Sequence, residues 1–220
     1  MVLAAERIDR AKPRFLDLDA LAAAARNDDP FPYLIVPGFV PPAARAAIAA
    51  DYPAVAGPGS FPVDELRIGA TFRAFLDELE GPDFRRAIEL KFGIDLAGRP
   101  TMVTVRGEAR LRDGRIHNDS RSKLVTVLVY MNDAWEPAEG RLRLLRSRTD
   151  LDAVAAEVPP QAGTLLVFRV TDNSWHGHLP TSGPRRVVQL NWVESEAVVR
   201  RERARHGLSA RVKRFLSRWR

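Results

Sequence analysis

The chain has 220 residues, a formal net charge of +6 at neutral pH, 45% hydrophobic and 28% charged residues, and no cysteine. These values fit one soluble domain with a sizeable apolar core and argue against bulk disorder. They exclude a disulfide framework and thiolate metal sites, and no apolar stretch is long enough to cross a bilayer, so any metal must sit on His, Asp or Glu.

The amino-terminal MVLAAERIDRAKPRF mixes acids and bases where a secretory leader would be apolar, so the chain reads as cytoplasmic. Residues 14–27 are alanine-rich and amphipathic, which predicts a helix. Residues 32–40 (PYLIVPGFV) read as a short strand ended by Pro41-Pro42, and AARAAIAADY as a helix. The Pro- and Gly-rich segment 53–61 reads as a loop, and helices are expected over 63–80 and 82–92. After Pro100 the pattern changes to short runs rich in Val, Leu, Thr and aromatics: 101–111, 124–132, 141–147, 163–170, 174–180 and 186–193. Turn residues separate them, as in an all-β sandwich or barrel. The division is a helical region over 1–100, a β-core over 101–193 and a basic helix over 194–220.

Charge is unevenly distributed. Residues 200–220 hold nine Lys/Arg against one acid, Glu202, which leaves −2 for residues 1–199. Leu208, Val212, Phe215, Leu216 and Trp219 fall at helical spacing, with Ser209 as N-cap. Such a basic amphipathic helix suits an anionic surface or an acidic partner, or packs its stripe on the barrel. The chain shows no strong nucleic-acid signal.

Chemistry concentrates in the β-core. Of four histidines, three lie there: His117, His176 and His178. His117 and Asp119 are two apart, so on an extended segment they share a face, and His176 arrives 59 residues later. Two histidines and a carboxylate on one face of a metal leave coordination positions open, the arrangement of non-haem Fe(II) enzymes. In RVVQLNWV (186–193), Arg186, Val188, Leu190 and Trp192 alternate onto one face, read as pointing into the barrel. A buried guanidinium needs an anion, either a dicarboxylate ligand or an internal acid. Arg185 falls on the opposite face with Val187, Gln189 and Asn191. Leu124, Thr126, Leu128 and Tyr130 share a face, and an inward Tyr130 hydroxyl calls for an acceptor, a carboxylate or a backbone carbonyl.

Three segments, HNDSRSKLVTVLVYMNDAW, EVPPQAGTLLVF and SWHGHLPTSGPRRVVQLNW, together resemble the 2-oxoglutarate/Fe(II)-dependent oxygenases, particularly their prolyl-hydroxylase-like branch. The resemblance implies an α+β fold with a double-stranded β-helix (jelly-roll, cupin-like) core, N-terminal helices packed on it and a C-terminal helix. It implies a dioxygenase using Fe(II), 2-oxoglutarate and O2 to hydroxylate a C–H bond, with release of succinate and CO2. By the same resemblance His117, Asp119 and His176 bind the metal, and Arg186 and Tyr130 hold the far carboxylate of 2-oxoglutarate. His178 is the runner-up ligand. Glu139-Gly140 stands where the family often has Gly-Gly. The substrate is open among a prolyl or other protein side chain, a sugar and a small metabolite. Arg106, Arg110, Arg112, Arg115 and Trp135 are candidates to flank the mouth, each Arg having a solvated loop charge as its plain alternative. Two other functions compete: a non-catalytic β-barrel binding module with a basic tail, and a cupin-type metal hydrolase or isomerase on the same triad.

Overall fold

The computed structural model describes residues 15–55 and 57–204. Two antiparallel sheets form the β-core. The larger has the strand order β1 (Tyr33–Val36), β7 (Leu165–Arg169), β4 (Lys123–Tyr130), β9 (Gly183–Val193), β3 (Thr101–Ala109) and β2 (Phe61–Pro62); the smaller has β6 (Val154–Val158), β5 (Leu142–Leu145) and β8 (His176–Gly177). Leu142, Leu144 and Val158 of the smaller sheet pack with Leu128, Tyr130, Leu166, Phe168 and Val187 of the larger, so the two inner faces close on one another. This is the double-stranded β-helix that the family resemblance implies.

The outer face of the larger sheet carries the helices α1 (Leu18–Ala23), α2 (Pro42–Ala50), α3 (Ala70–Leu79) and α4 (Pro82–Phe92). Helix α3 buries Phe72, Phe75, Leu76 and Leu79, and α4 buries Phe84, Ile88 and Phe92, each set forming one stripe at helical spacing. The indole of Trp192 stacks on Phe84 at 6.0 Å, joining β9 to this layer. Pro82 starts α4 at a position that needs no N–H, and Gly93 ends it in the left-handed region.

Several boundaries differ from the sequence reading. The helix expected over 14–27 is confined to α1, where the Asp17 carboxylate caps the Ala20 N–H at 2.8 Å; residues 27–33 turn back, with Asn27 and Tyr33 paired backbone to backbone. The helix expected over 63–80 is interrupted. A 3-10 turn over Val63–Glu65 is followed by α3, whose first turn is capped from a distance by Asp51 accepting from Thr71 N–H at 2.8 Å. Phe61, assigned to a loop, begins β2. Strand β6 was not foreseen, because its Val-Ala-Ala-Glu-Val carries little β-former signal. The first hundred residues do more than support the barrel: β1 and β2 are the two edges of the larger sheet. Residues 196–204 are helical, and the amphipathic stripe from Leu208 to Trp219 lies outside the described residues.

Candidate metal centre

A two-residue backbone pairing builds the site. The His117 N–H donates to the His176 carbonyl and the His176 N–H to the His117 carbonyl, both at 3.0 Å. Side chains of directly opposed residues come close together, and the two imidazoles lie 4.2 Å apart between centroids. Asp119 returns to the same side two residues on. One ligand atom from each of His117, Asp119 and His176 lies within 4.8 Å of the other two. The three residues singled out by spacing are thus brought together, although 59 positions separate the histidines.

Local hydrogen bonds prepare these side chains. Nδ1 of His117 lies 2.9 Å from the Arg115 carbonyl, and Nδ1 of His176 lies 2.9 Å from the Ser174 carbonyl. A carbonyl only accepts, so in the neutral rings Nδ1 carries the proton and the Nε2 lone pair is left for a metal. Burial, then the neighbouring His117, pushes His176 down to about 4, so it is neutral near pH 7. Asp119 accepts from Lys123 Nζ at 2.7 Å and from the Thr126 hydroxyl at 2.6 Å. Thr126 Oγ1 accepts from Asn191 Nδ2 at 2.8 Å, and Asn191 Oδ1 accepts from Gln189 at 3.0 Å. Burial alone would raise the Asp119 carboxyl; Lys123, His176 and these hydrogen bonds outweigh it and hold the group below the usual carboxylate range. Each oxygen keeps a lone pair for a cation. The donor set of two neutral imidazoles and one carboxylate fits a divalent first-row metal with positions to spare.

The other half of the cavity corrects the sequence reading. Arg186 does not point inward. Its side chain is exposed, with the guanidinium 5.4 Å from the Tyr52 ring, and Val188, Leu190 and Trp192 on its face pack among the helices. Arg185, Val187 and Gln189 line the cavity that holds the triad. The reason is physical: both faces of β9 are buried, and alternation separates them without saying which layer each meets. The more apolar face goes to the dry helix layer, and the face bearing Arg, Gln and Asn lines the cavity. A register shift between Lys123 and Val125 has a similar effect on β4, where Leu124 packs towards the helices while Thr126, Leu128 and Tyr130 face inward.

Arg185 is 6% exposed; its Nε donates to the Gly140 carbonyl at 3.0 Å, and it makes no ion pair among the described residues. Gly140 has a φ of 75°, and a Cβ there would come within 2.7 Å of Trp135 and Thr181, so the glycine of Glu139-Gly140 is required and its partner position is not. Asn132 fixes the backbone beside Arg185, accepting from Arg186 N–H at 2.7 Å and donating to the Arg186 carbonyl at 3.2 Å. The guanidinium carbon of Arg185 lies 5.6 Å from the Tyr130 ring centroid. Tyr130 is fully buried and its hydroxyl meets no hydrogen-bond partner. Burial pushes that hydroxyl up, and Arg185 pulls it back in part. A buried unpaired hydroxyl costs about 1–3 kcal/mol, and an unpaired buried cation more. Together they describe a cradle for a carboxylate.

His178 also lines the cavity, but it is not one of the three clustered residues that could hold a metal. Its Nδ1 lies 2.8 Å from the Leu179 carbonyl, and burial, then Arg185, pushes it down to about 4. Of the mouth arginines, Arg106 lines the cavity, Arg110 pairs with Asp113 at 3.6 Å, and Arg112 and Arg115 are exposed. Trp135 is half-buried and donates to the Glu139 carbonyl at 3.0 Å. Lys123 and the Thr126–Asn191 relay went unassigned in the sequence. The polar stripe of 185, 189 and 191 was the available signal for the inner face.

Residues 109–194 match the sequence model of the 2OG-Fe(II) oxygenase superfamily. No curated protein matches the chain. Among solved structures, a prolyl-4-hydroxylase from Pseudomonas putida is similar with a TM-score of 0.56 and 21% identity, covering 81% of this chain and 97% of that one. The viral collagen prolyl hydroxylase of Paramecium bursaria Chlorella virus-1, in complex with 2-oxoglutarate, has a TM-score of 0.52 and 16% identity over 74% of this chain and 96% of that one. HygX of Streptomyces hygroscopicus, with nickel and 2-oxoglutarate bound, has a TM-score of 0.50 and 13% identity over 74% and 83%. These structures share the fold. No helix among the described residues is long and apolar enough to cross a membrane.

Proposed function

We propose that this chain, whose residues 109–194 match the sequence model of the 2OG-Fe(II) oxygenase superfamily, is an oxygenase of that kind and hydroxylates a C–H bond of its substrate at the His117–Asp119–His176 centre. In this reading its cofactors are Fe(II), 2-oxoglutarate and O2, which the match over residues 109–194 and the clustered His117, Asp119 and His176 support. When bound, these supply a metal-centred oxidant, and 2-oxoglutarate leaves as succinate and CO2.

In this reading His117 and His176 each offer Nε2, held in the correct tautomer by the Arg115 and Ser174 carbonyls. Asp119 supplies the anionic ligand, oriented by Lys123 and by Thr126 with Asn191 behind it. Arg185, in the role first expected of Arg186, pairs with the far carboxylate of 2-oxoglutarate, and Tyr130 donates its hydroxyl to the same group. Leu128, Leu142 and Val187 wall the cavity and keep water from the reacting atoms.

The observation that carries the proposal is Arg185, which lines the same cavity as the triad and has no ion pair among the described residues, with the unpaired Tyr130 hydroxyl buried beside it. A hydrolase or isomerase on the same three ligands has no use for a dry carboxylate anchor. A plain binding module needs no facial set of metal donors. Anaerobic titration of the Fe(II)-loaded protein with 2-oxoglutarate tests it. The expected result is the weak visible charge-transfer band of the chelate, followed by O2-dependent succinate release. No band, or turnover that survives without O2, would overturn the reading. A prolyl side chain, a sugar and a small metabolite each present a suitable C–H bond.

A further inference from the structure

Arg106 is a part-buried guanidinium for which the site described so far has no use. It lies on β3 opposite Val187, its Nη1 is 3.1 Å from Asp113, and its Nη2 is 3.4 Å from the Ser60 hydroxyl. The backbone that carries it is held in place: Gly107 sits at a register shift between Arg106 and Glu108, and the Tyr52 hydroxyl donates to the Arg106 carbonyl at 2.7 Å.

The local charges do not balance. Asp113 is one carboxylate shared by two guanidiniums, Arg106 at 3.1 Å and Arg110 at 3.6 Å, and it also accepts from the Arg110 backbone N–H at 3.0 Å. Nε of Arg110 is buried without a partner. Nearby stand Arg185 and His178, and neither a guanidinium nor an imidazole supplies the missing anion. Burial and Arg185 both work against the charge of Arg106, and Asp113 offsets them only in part. Elsewhere in the cavity Lys123 is balanced by Asp119, and a divalent metal with a dicarboxylate adds no net charge, so with Arg185 the rest of the lining is itself positive and supplies no anion to this cluster. One positive charge in the Arg106–Arg110–Asp113 cluster is therefore left over at low dielectric, where an anion on it is worth far more than in bulk water.

Exposure says which ligand that charge serves. Arg185 and Tyr130 are 6% and 0% exposed and lie at the closed end, whereas the Arg106 side chain is 26% exposed. A dicarboxylate stretched between the metal and Arg185 has both ends engaged. Arg106 and Ser60 are more open to whatever arrives after it.

We propose that Arg106, with the Ser60 hydroxyl beside it, is the substrate anchor, and that the substrate carries a carboxylate or phosphate bound there while its C–H bond faces the metal. This rests on the oxygenase reading of the cavity and narrows its substrate to an anionic compound or residue. The anion would share Arg106 with Asp113, so Asp113 tempers the affinity and prevents the site from holding product too tightly.

The test uses the full chain loaded anaerobically with Fe(II) and saturating 2-oxoglutarate, titrated with methyl phosphate, with acetate and with neutral acetamide, by calorimetry. Methyl phosphate or acetate is expected to bind and acetamide is not; the tighter of the two anions identifies phosphate or carboxylate as the group. Arg106→Gln should weaken that binding about tenfold or more, as loss of a charge-assisted contact does, with 2-oxoglutarate affinity changed less than twofold. Arg106→Lys should retain part of the binding, and Asp113→Asn should strengthen it several-fold, a gain that a purely structural ion pair would not produce. The proposal is overturned if neither anion binds, if Arg106→Gln leaves anion binding unchanged, or if it weakens 2-oxoglutarate to the same degree, which would assign Arg106 to the co-substrate. Failure of the oxygenase reading itself is distinguishable, because the chelate band would then be missing from the wild-type sample.

Discussion

The larger sheet has two buried faces made by the same strands with different chemistry. Towards the helices, β4 sends Val125, Val127 and Val129, and β9 sends Val188, Leu190 and Trp192, all at most 1% exposed. Towards the smaller sheet the same strands present Thr126, Leu128 and Tyr130, and Arg185, Val187, Gln189 and Asn191. One face excludes water and polar groups and holds the fold together; the other keeps polar side chains at fixed places and leaves two of them, Arg185 and Tyr130, short of partners. Residues one position apart on β9 should therefore fail in different ways when changed.

The largest effect is expected at the polar face. Asp119→Ala removes the proposed anionic ligand and should reduce O2-dependent succinate formation to background while the protein still folds; substantial turnover in that variant would remove Asp119 from the metal. On the dry face, Trp192→Ala should cost about 3–5 kcal/mol in denaturant unfolding, with 2-oxoglutarate affinity in the surviving folded fraction unchanged. A small stability loss there would mean that β9 is not anchored through Phe84. Next comes the adjacent pair of arginines. Arg185→Gln should weaken 2-oxoglutarate binding about 10–100-fold, the worth of a charge-assisted hydrogen-bond pair, whereas Arg186→Gln should leave it within twofold. Equal effects from both would contradict the parity of the strand.

Smaller changes sharpen the same contrast. Tyr130→Phe deletes an unpaired hydroxyl, so the metal-free protein should lose no stability, while 2-oxoglutarate binding should weaken several-fold. A clear destabilisation of the metal-free form would show that the hydroxyl already has a partner. Last is a pH effect. His176 and His178 titrate at about 4 in the fold against an ordinary value near 6.5, so the unfolded chain takes up protons first. Stability of the metal-free protein should fall as pH drops from about 6.5 towards 4, and the histidines' share of that loss should level off below about 4 while the depressed carboxyl of Asp119 continues it. His178→Gln should make that decline shallower; an unchanged slope would show that His178 does not contribute.

Much of this was legible in the chain itself. The switch from helical to alternating patterning after Pro100, the His117–Asp119 spacing, the distant His176 and the inward Tyr130 could all be read from residue types and intervals. The choice between Arg185 and Arg186 could not, because β9 has two buried faces and period-two alternation looks the same whichever layer each face meets. The stripe of Arg185, Gln189 and Asn191 was the better clue, since polar side chains belong in a cavity and Val, Leu and Trp in a dry layer. Strand β6 and the two-residue β2 were invisible for a different reason: short strands of weak β-formers exist because a partner strand is waiting for them.

The sequence by itself determined that a β-core follows Pro100 and that His117 and Asp119 share a face, with His176 and His178 as candidates for a third donor, because these depend on local periodicity and on which side chains can donate to a metal; the double-stranded β-helix and the choice of His176 were what the family resemblance implied. The tertiary structure decided which arginine lines the cavity beside the triad, what orients Asp119, and that Arg106 shares its one carboxylate with Arg110. Those facts depend on distances between strands far apart in the chain and on which face water is excluded from, and neither quantity exists until the sheets have closed.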